Sequence, residues 1–144
     1  MTLRIIAFAK LSFYLQKFRT KKNRYSTMRK IYHLASCSTC QRIIKELGGL
    51  EDFEKQNIKE EKITAKQIDE MKKMAGSYEA LFSRRSMKYR PMGLHEREIS
   101  EKEYRKLIMD EYTFLKRPVI IIDDEIFIGN AKKVVAAAKE KLGL

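Results

Sequence analysis

Two cysteines three positions apart carry the most specific chemistry in this chain. Cys37-Ser-Thr-Cys40 lies between an apolar segment ending at Ala35 and a run in which Ile43, Ile44, Leu47 and Leu50 recur at helical spacing. A strand therefore hands over to a helix at the cysteines, and the first sulfur sits near the helix N-terminus, where unpaired N–H groups and the helix dipole favour a thiolate. Cys37 reads as the nucleophile. Cys40 falls on the same side of the first turn, where it can attack an adduct on Cys37 and release it as an intramolecular disulfide. It reads as the resolving thiol. Two other readings stand beside this one. A zinc site completed by His33 and His95 fits no familiar finger spacing. Two small buried hydrophobes would sit poorly among the polar neighbours Ser36, Ser38, Thr39 and Gln41.

Arginines supply the second ingredient. Arg117-Pro118 immediately precedes an apolar strand, where a proline removes a ladder donor and can adopt a cis bond. Arg117 could then face a thiolate or an anion. Arg84 and Arg85 belong to a polar, cationic loop from Ser83 to Gly93 and could offer a second fork to an oxyanion, although an exposed arginine pair is also ordinary solvated surface.

The elements that must position these groups alternate along the chain. Lys30–Ala35 reads as a strand, Gly48-Gly49 ends the helix after the cysteines, and Phe53–Ile58 reads as a second strand. Thr64-Ala-Lys-Gln67 and Ser100-Glu-Lys-Glu103 both have the form of capping boxes. The helices they open bury Ile68, Met71, Met74 and Ala75 in the first, and Tyr104, Leu107 and Ile108 in the second. Val119–Ile122 and Ile126–Ile128, joined across Asp123-Asp-Glu, read as an antiparallel hairpin. Asn130 is the expected cap of a last helix with Val134, Val135, Ala138 and Leu142 on its buried face. The order β-α-β, helices, β-β-α predicts an α/β sandwich around one mixed sheet.

Composition narrows the class. The chain has 144 residues with only two cysteines, too few and too close to staple a secreted fold, which points to a reducing, intracellular setting and hence the cytoplasm. No apolar run approaches the length of a membrane span. The net charge of +12 is uneven: residues 1–27 hold seven Lys/Arg and no acid, leaving 24 of the 31 basic residues against all 19 acids in residues 28–144. There the signs are interleaved, as on solvated faces, and no direct DNA binding is expected. Residues 1–27, basic and dotted with Phe and Tyr, could form an amphipathic helix for an anionic membrane surface or RNA. They read more simply as a dispensable extension or a misplaced start, with the domain proper over 28–144.

The segments Ile31–Cys40, Ala80–Ser86, Lys116–Ile122 and Ile128–Asn130, in that order, resemble the arsenate reductase (ArsC)/Spx/YffB family over roughly residues 29–144. That resemblance implies a thioredoxin-like fold with a helical insertion. It also implies that Cys37 attacks an oxidised substrate, arsenate or another oxyanion or disulfide, while Arg85 and Arg117 hold it. His33 and Pro118 would support the site. The third arginine of the arsenate reductases falls at Asn130, which would cost an anion one charge-assisted partner, about 1.5–3 kcal/mol. Cys40 resembles the second cysteine of Spx-like members. The implied enzyme is a thiol oxidoreductase with no bound cofactor or metal, restored by glutathione with glutaredoxin or by thioredoxin. The implied alternative is an Spx-like regulator that binds RNA polymerase and is switched by a Cys37–Cys40 disulfide.

Overall fold

A computed structural model describes residues 28–144. The reading of residues 1–27 as a basic extension concerns a segment outside the described residues. A four-stranded sheet in the order β2-β1-β3-β4 is built from β1 (Arg29–His33), β2 (Glu54–Asn57), β3 (Val119–Ile122) and β4 (Glu125–Ile128). The β1–β2 pair is parallel, and β1–β3 and β3–β4 are antiparallel, so the sheet is mixed. Four helices accompany it: α1 (Ser38–Glu46), α2 (Ala65–Ala75), α3 (Glu101–Asp110) and α4 (Lys132–Leu142). This is the α/β, thioredoxin-like arrangement expected, with α2 and α3 forming the helical insertion. No described helix is long and apolar enough to cross a membrane.

Strand periodicity divides the core. In β3, Val119 and Ile121 face one way and Ile120 and Ile122 the other, as alternate residues of a strand must. The first pair packs, with Tyr32, against Ile68 and Met71 of α2, Tyr104, Leu107 and Ile108 of α3, and the aromatic pair Phe82 and Phe114. The second packs, with Ile31, against Ile43 of α1, Leu47 at its C-cap, and Val135 and Ala138 of α4. All four residues of β3 are buried, which is why this strand reads as an unbroken apolar run.

Element ends depart from the sequence expectation in instructive ways. The first strand stops at His33 and not at Ala35, because the Leu34 carbonyl already accepts the Cys37 N–H at 3.0 Å and turns the chain. The second strand is trimmed at both ends to Glu54–Asn57. Leu50 lies outside α1: Gly48 and Gly49 take positive φ and end the helix, yet the Leu50 side chain still joins the α1 cluster.

The Thr64 capping box is complete, and Gln67 extends it by exchanging amide hydrogen bonds with the buried Gln56 at 2.9 and 3.2 Å. At Ser100 only half of the expected box forms. The Ser100 hydroxyl accepts the Glu103 N–H at 3.3 Å, but the Glu103 carboxylate is taken by Arg97. Asn130 is not the cap of the last helix; Ala131 occupies that position and makes no side-chain cap bond.

Candidate active site

The loop between β1 and α1 sets Cys37 as the N-cap of α1, with extended backbone and no side-chain cap bond. Its carbonyl accepts the Gln41 N–H at 3.1 Å, the first bond of the helix. Two side chains brace the loop from behind: Asn57 Oδ1 accepts the Ala35 N–H at 3.3 Å, and Gln41 Nε2 donates to the Ala35 carbonyl. Sequence reasoning missed both. Gln41 adjoins the motif, but Asn57 arrives through β1–β2 pairing, which no local signal announces.

Cys37 is half-buried and Cys40 fully so, and both are free thiols. Burial works against a Cys37 thiolate, but backbone N–H groups of Cys40 and Thr39, the Cys40 thiol and the Arg117 charge outweigh it, and the Cys37 thiol is held below its ordinary value. Burial pushes the Cys40 thiol up to about 11; the adjacent Cys37 charge adds to this, while a Leu34 backbone hydrogen bond and Arg117 oppose it. At neutral pH the two thiols are unlike: Cys37 is the anion-prone one, and Cys40 is the one that keeps its proton.

Cys37 opens into a cavity of about 610 Å³ whose walls include Thr39, Arg84, Arg85, Arg117 and Asn130. The arginines converge through a short long-range ladder. Phe82 and Leu115 form an isolated antiparallel bridge, Ser83 N–H donates to the Phe114 carbonyl at 2.7 Å, and Lys116 N–H donates to the Leu81 carbonyl at 2.8 Å. The loop that carries Arg84 and Arg85 is thereby fastened beside the segment that carries Arg117. Lys116 also lines the cavity, and its ammonium donates to the Ala80 carbonyl at 3.1 Å. Its place next to Arg117 was the one available signal for it.

The predicted residues are distributed as follows. Cys37, Arg85, Arg117 and Asn130 meet at the cavity, with Arg85 and Asn130 exposed and Arg117 half-buried. Cys40 sits behind Cys37. Pro118, cis after Arg117 and buried, accepts the Gly129 N–H on its carbonyl at 2.9 Å, just inside the wall. His33 does not line the cavity. It ends β1, its carbonyl accepts the Ile58 N–H at 3.0 Å, and burial, with Lys55, holds its pKa below the ordinary value. His95 lies against the Tyr89 ring, with centroids 6.3 Å apart. The cysteine and histidine set of the zinc reading is therefore not assembled, and no cluster of three or more potential ligands exists among the described residues.

Two helices begin at this cavity. The first-turn N–H groups of α1 serve Cys37, and α4 enters at Ala131, itself a wall residue, with no side chain capping its N-terminus. Both ends contribute partial positive charge to the space that the arginines flank.

One consequence is a pH profile. Alkylation of Cys37 by iodoacetamide, followed by mass spectrometry, is expected to rise to a plateau with a midpoint below that of an ordinary thiol, because only the thiolate reacts. Removing the Arg117 charge raises that midpoint and slows alkylation at pH 7 by about threefold, the scale of a screened, partly exposed charge interaction. An unmoved or lowered midpoint in Arg117→Ala contradicts the assignment.

A family model described as the ArsC family matches residues 32–138. No curated protein matches the chain. An ArsC family related protein from Bacteroides fragilis superimposes with a TM-score of 0.66 at 17% identity, over 78% of this chain and 98% of that one. An arsenate reductase from Vibrio cholerae gives a TM-score of 0.66 at 14% identity, over 78% and 98%. An arsenate reductase related protein from Brucella melitensis gives 0.59 at 23%, over 78% and 94%. At these identities the likeness establishes a shared fold.

Proposed function

We propose a function from one premise: the chain belongs to the ArsC family. It is a thiol-dependent oxidoreductase in which the Cys37 thiolate attacks an oxidised substrate. With a disulfide, Cys37 Sγ forms a bond to one sulfur and the other leaves as a thiolate. Cys40, losing its proton, then attacks Cys37 Sγ, expels the bound thiolate and leaves a Cys37–Cys40 disulfide. With arsenate, Cys37 displaces water from arsenic; the second attack leaves the electron pair on arsenic, which departs as arsenite. In both cases two electrons pass from the dithiol to the substrate, and glutathione with glutaredoxin, or thioredoxin, returns them.

The observation that carries this reading is geometric: a half-buried Cys37 at the N-cap of α1 faces a cationic cavity and is backed by a fully buried Cys40, with electrostatics that favour the thiolate at the first and disfavour it at the second. Arg85 and Arg117 hold the anionic part of the substrate, with Asn130 at the rim. Two guanidiniums in place of three suit a disulfide or a singly charged group better than a doubly charged oxyanion. Free thiols held ready suit the cytoplasm.

The test is turnover of a small mixed disulfide and of arsenate, each with glutathione plus glutaredoxin and with thioredoxin. Disulfide turnover exceeding arsenate turnover is the expected result. Ready oxidation to the Cys37–Cys40 disulfide with no turnover of either transfers the protein to the redox-sensing alternative, whose partner would be RNA polymerase.

A further inference from the structure

Four cations line the cavity, and the one acid among its lining residues is Glu79. Its carboxylate is engaged. Arg84 Nη2 donates to Glu79 Oε1 at 2.8 Å and to the Tyr104 hydroxyl at 3.2 Å, and that hydroxyl lies 3.5 Å from the same Glu79 oxygen. Tyr104 is only 5% exposed, with its ring 4.8 Å from that of Phe82, so the hydroxyl is a fixed point. The Glu79 backbone is held as well, since the Glu101 carboxylate accepts the N–H groups of Tyr78 and Glu79 at 2.7 and 3.1 Å. By contrast, Arg85 and Arg117 have no hydrogen-bond or ion-pair partner among the described residues. The cavity thus holds three guanidiniums, one of them tied back.

We propose that Glu79 is a specificity-determining residue: by holding Arg84 together with Tyr104, it withholds a third guanidinium and restricts the cavity to substrates of low negative charge. The proposal rests on the reading of Cys37 as the nucleophile of this cavity. Glu79 also places a negative charge on the wall that a second substrate charge would have to face. Both effects act in one direction, against dianions. Their removal is expected to free Arg84 to turn into the cavity it already lines.

Cys37 itself reports on this. Iodoacetate and iodoacetamide are nearly the same size and differ in charge, so the ratio of their alkylation rates at Cys37 measures the anion preference of the cavity. Glu79→Gln is expected to raise the iodoacetate-to-iodoacetamide ratio about fivefold, the upper end for exposed charge pairs. It is also expected to strengthen protection of Cys37 by inorganic phosphate. The double variant Glu79→Gln/Arg84→Met returns the ratio towards wild type. Glu79 and Arg84 side chains are 57% and 58% exposed, so neither change opens a core cavity. A reactive Cys37 whose ratio is unchanged in Glu79→Gln overturns the proposal alone, and a ratio as high in the double variant as in Glu79→Gln overturns the tether. A wild-type Cys37 no more reactive than an ordinary thiol overturns the nucleophile reading and this proposal with it.

Discussion

Cys37→Ser abolishes turnover of every substrate, by at least about a thousandfold, because a serine hydroxyl at neutral pH has no anion to offer where the thiolate stood. Cys40→Ser fails differently. Cys37 remains exposed to the cavity and keeps its cationic wall, so the first exchange proceeds and the protein accumulates as a mixed disulfide with the substrate's thiol. Intact-mass measurement distinguishes the two: no adduct on Cys37→Ser, one stoichiometric adduct on Cys40→Ser, removed by dithiothreitol. Full turnover by Cys40→Ser would assign resolution to an external thiol and leave Cys40 as a packing residue. Cys40→Ser keeps a hydroxyl donor beside Cys37, whereas Cys40→Ala removes one contributor to the low Cys37 pKa, the Cys40 thiol hydrogen bond, so the midpoint of Cys37 alkylation moves upward in Cys40→Ala.

Phe114→Ala is expected to lower stability by about 3–5 kcal/mol, the range for deleting a large buried aromatic ring and leaving a cavity. Phe114 is fully buried, its ring stacked on Phe82 with centroids 5.0 Å apart. For a domain of ordinary marginal stability that is a large fraction of the whole. The urea midpoint, read by far-ultraviolet circular dichroism, falls accordingly; a loss below about 1 kcal/mol would mean that the ring is not a keystone of this core. The variant has a second readout. Phe82 and Phe114 sit at the ladder that fastens the arginine loop beside Arg117, so loosening them is expected to raise the Cys37 alkylation midpoint even where the protein remains folded.

The parts of this architecture that local rules govern are legible in the sequence alone. Val119–Ile122 reads as a strand because every residue is apolar and β-branched, and it is buried on both faces. Thr64 and Gln67 cap a helix at the expected place. Cys37 and Cys40 lie at a strand-to-helix junction, as the residues on either side require. The misreadings have two causes, competition from another side chain and a turn that ends in an unexpected residue. Glu103 satisfies the capping pattern on paper but meets Arg97 first. Asn130 is a good cap by type, yet the chain turns one residue later, at Ala131. Glu79 carried no motif at all. Its position on the wall follows from Glu101 holding the preceding turn, a contact between segments 22 residues apart.

The depth of Cys40 behind Cys37 sets the kinetic order of the proposed exchange. A substrate or partner protein can reach only Cys37, so every encounter gives a single connectivity and a rate proportional to the partner's concentration. The step that ends the encounter is unimolecular. Its attacking sulfur lies within hydrogen-bonding reach of Cys37 Sγ, the sulfur it must attack to expel the substrate's thiolate, at an effective concentration no dissolved thiol can match. How long the covalent complex lives is therefore a property of the first turn of one helix, independent of the thiol supply around it.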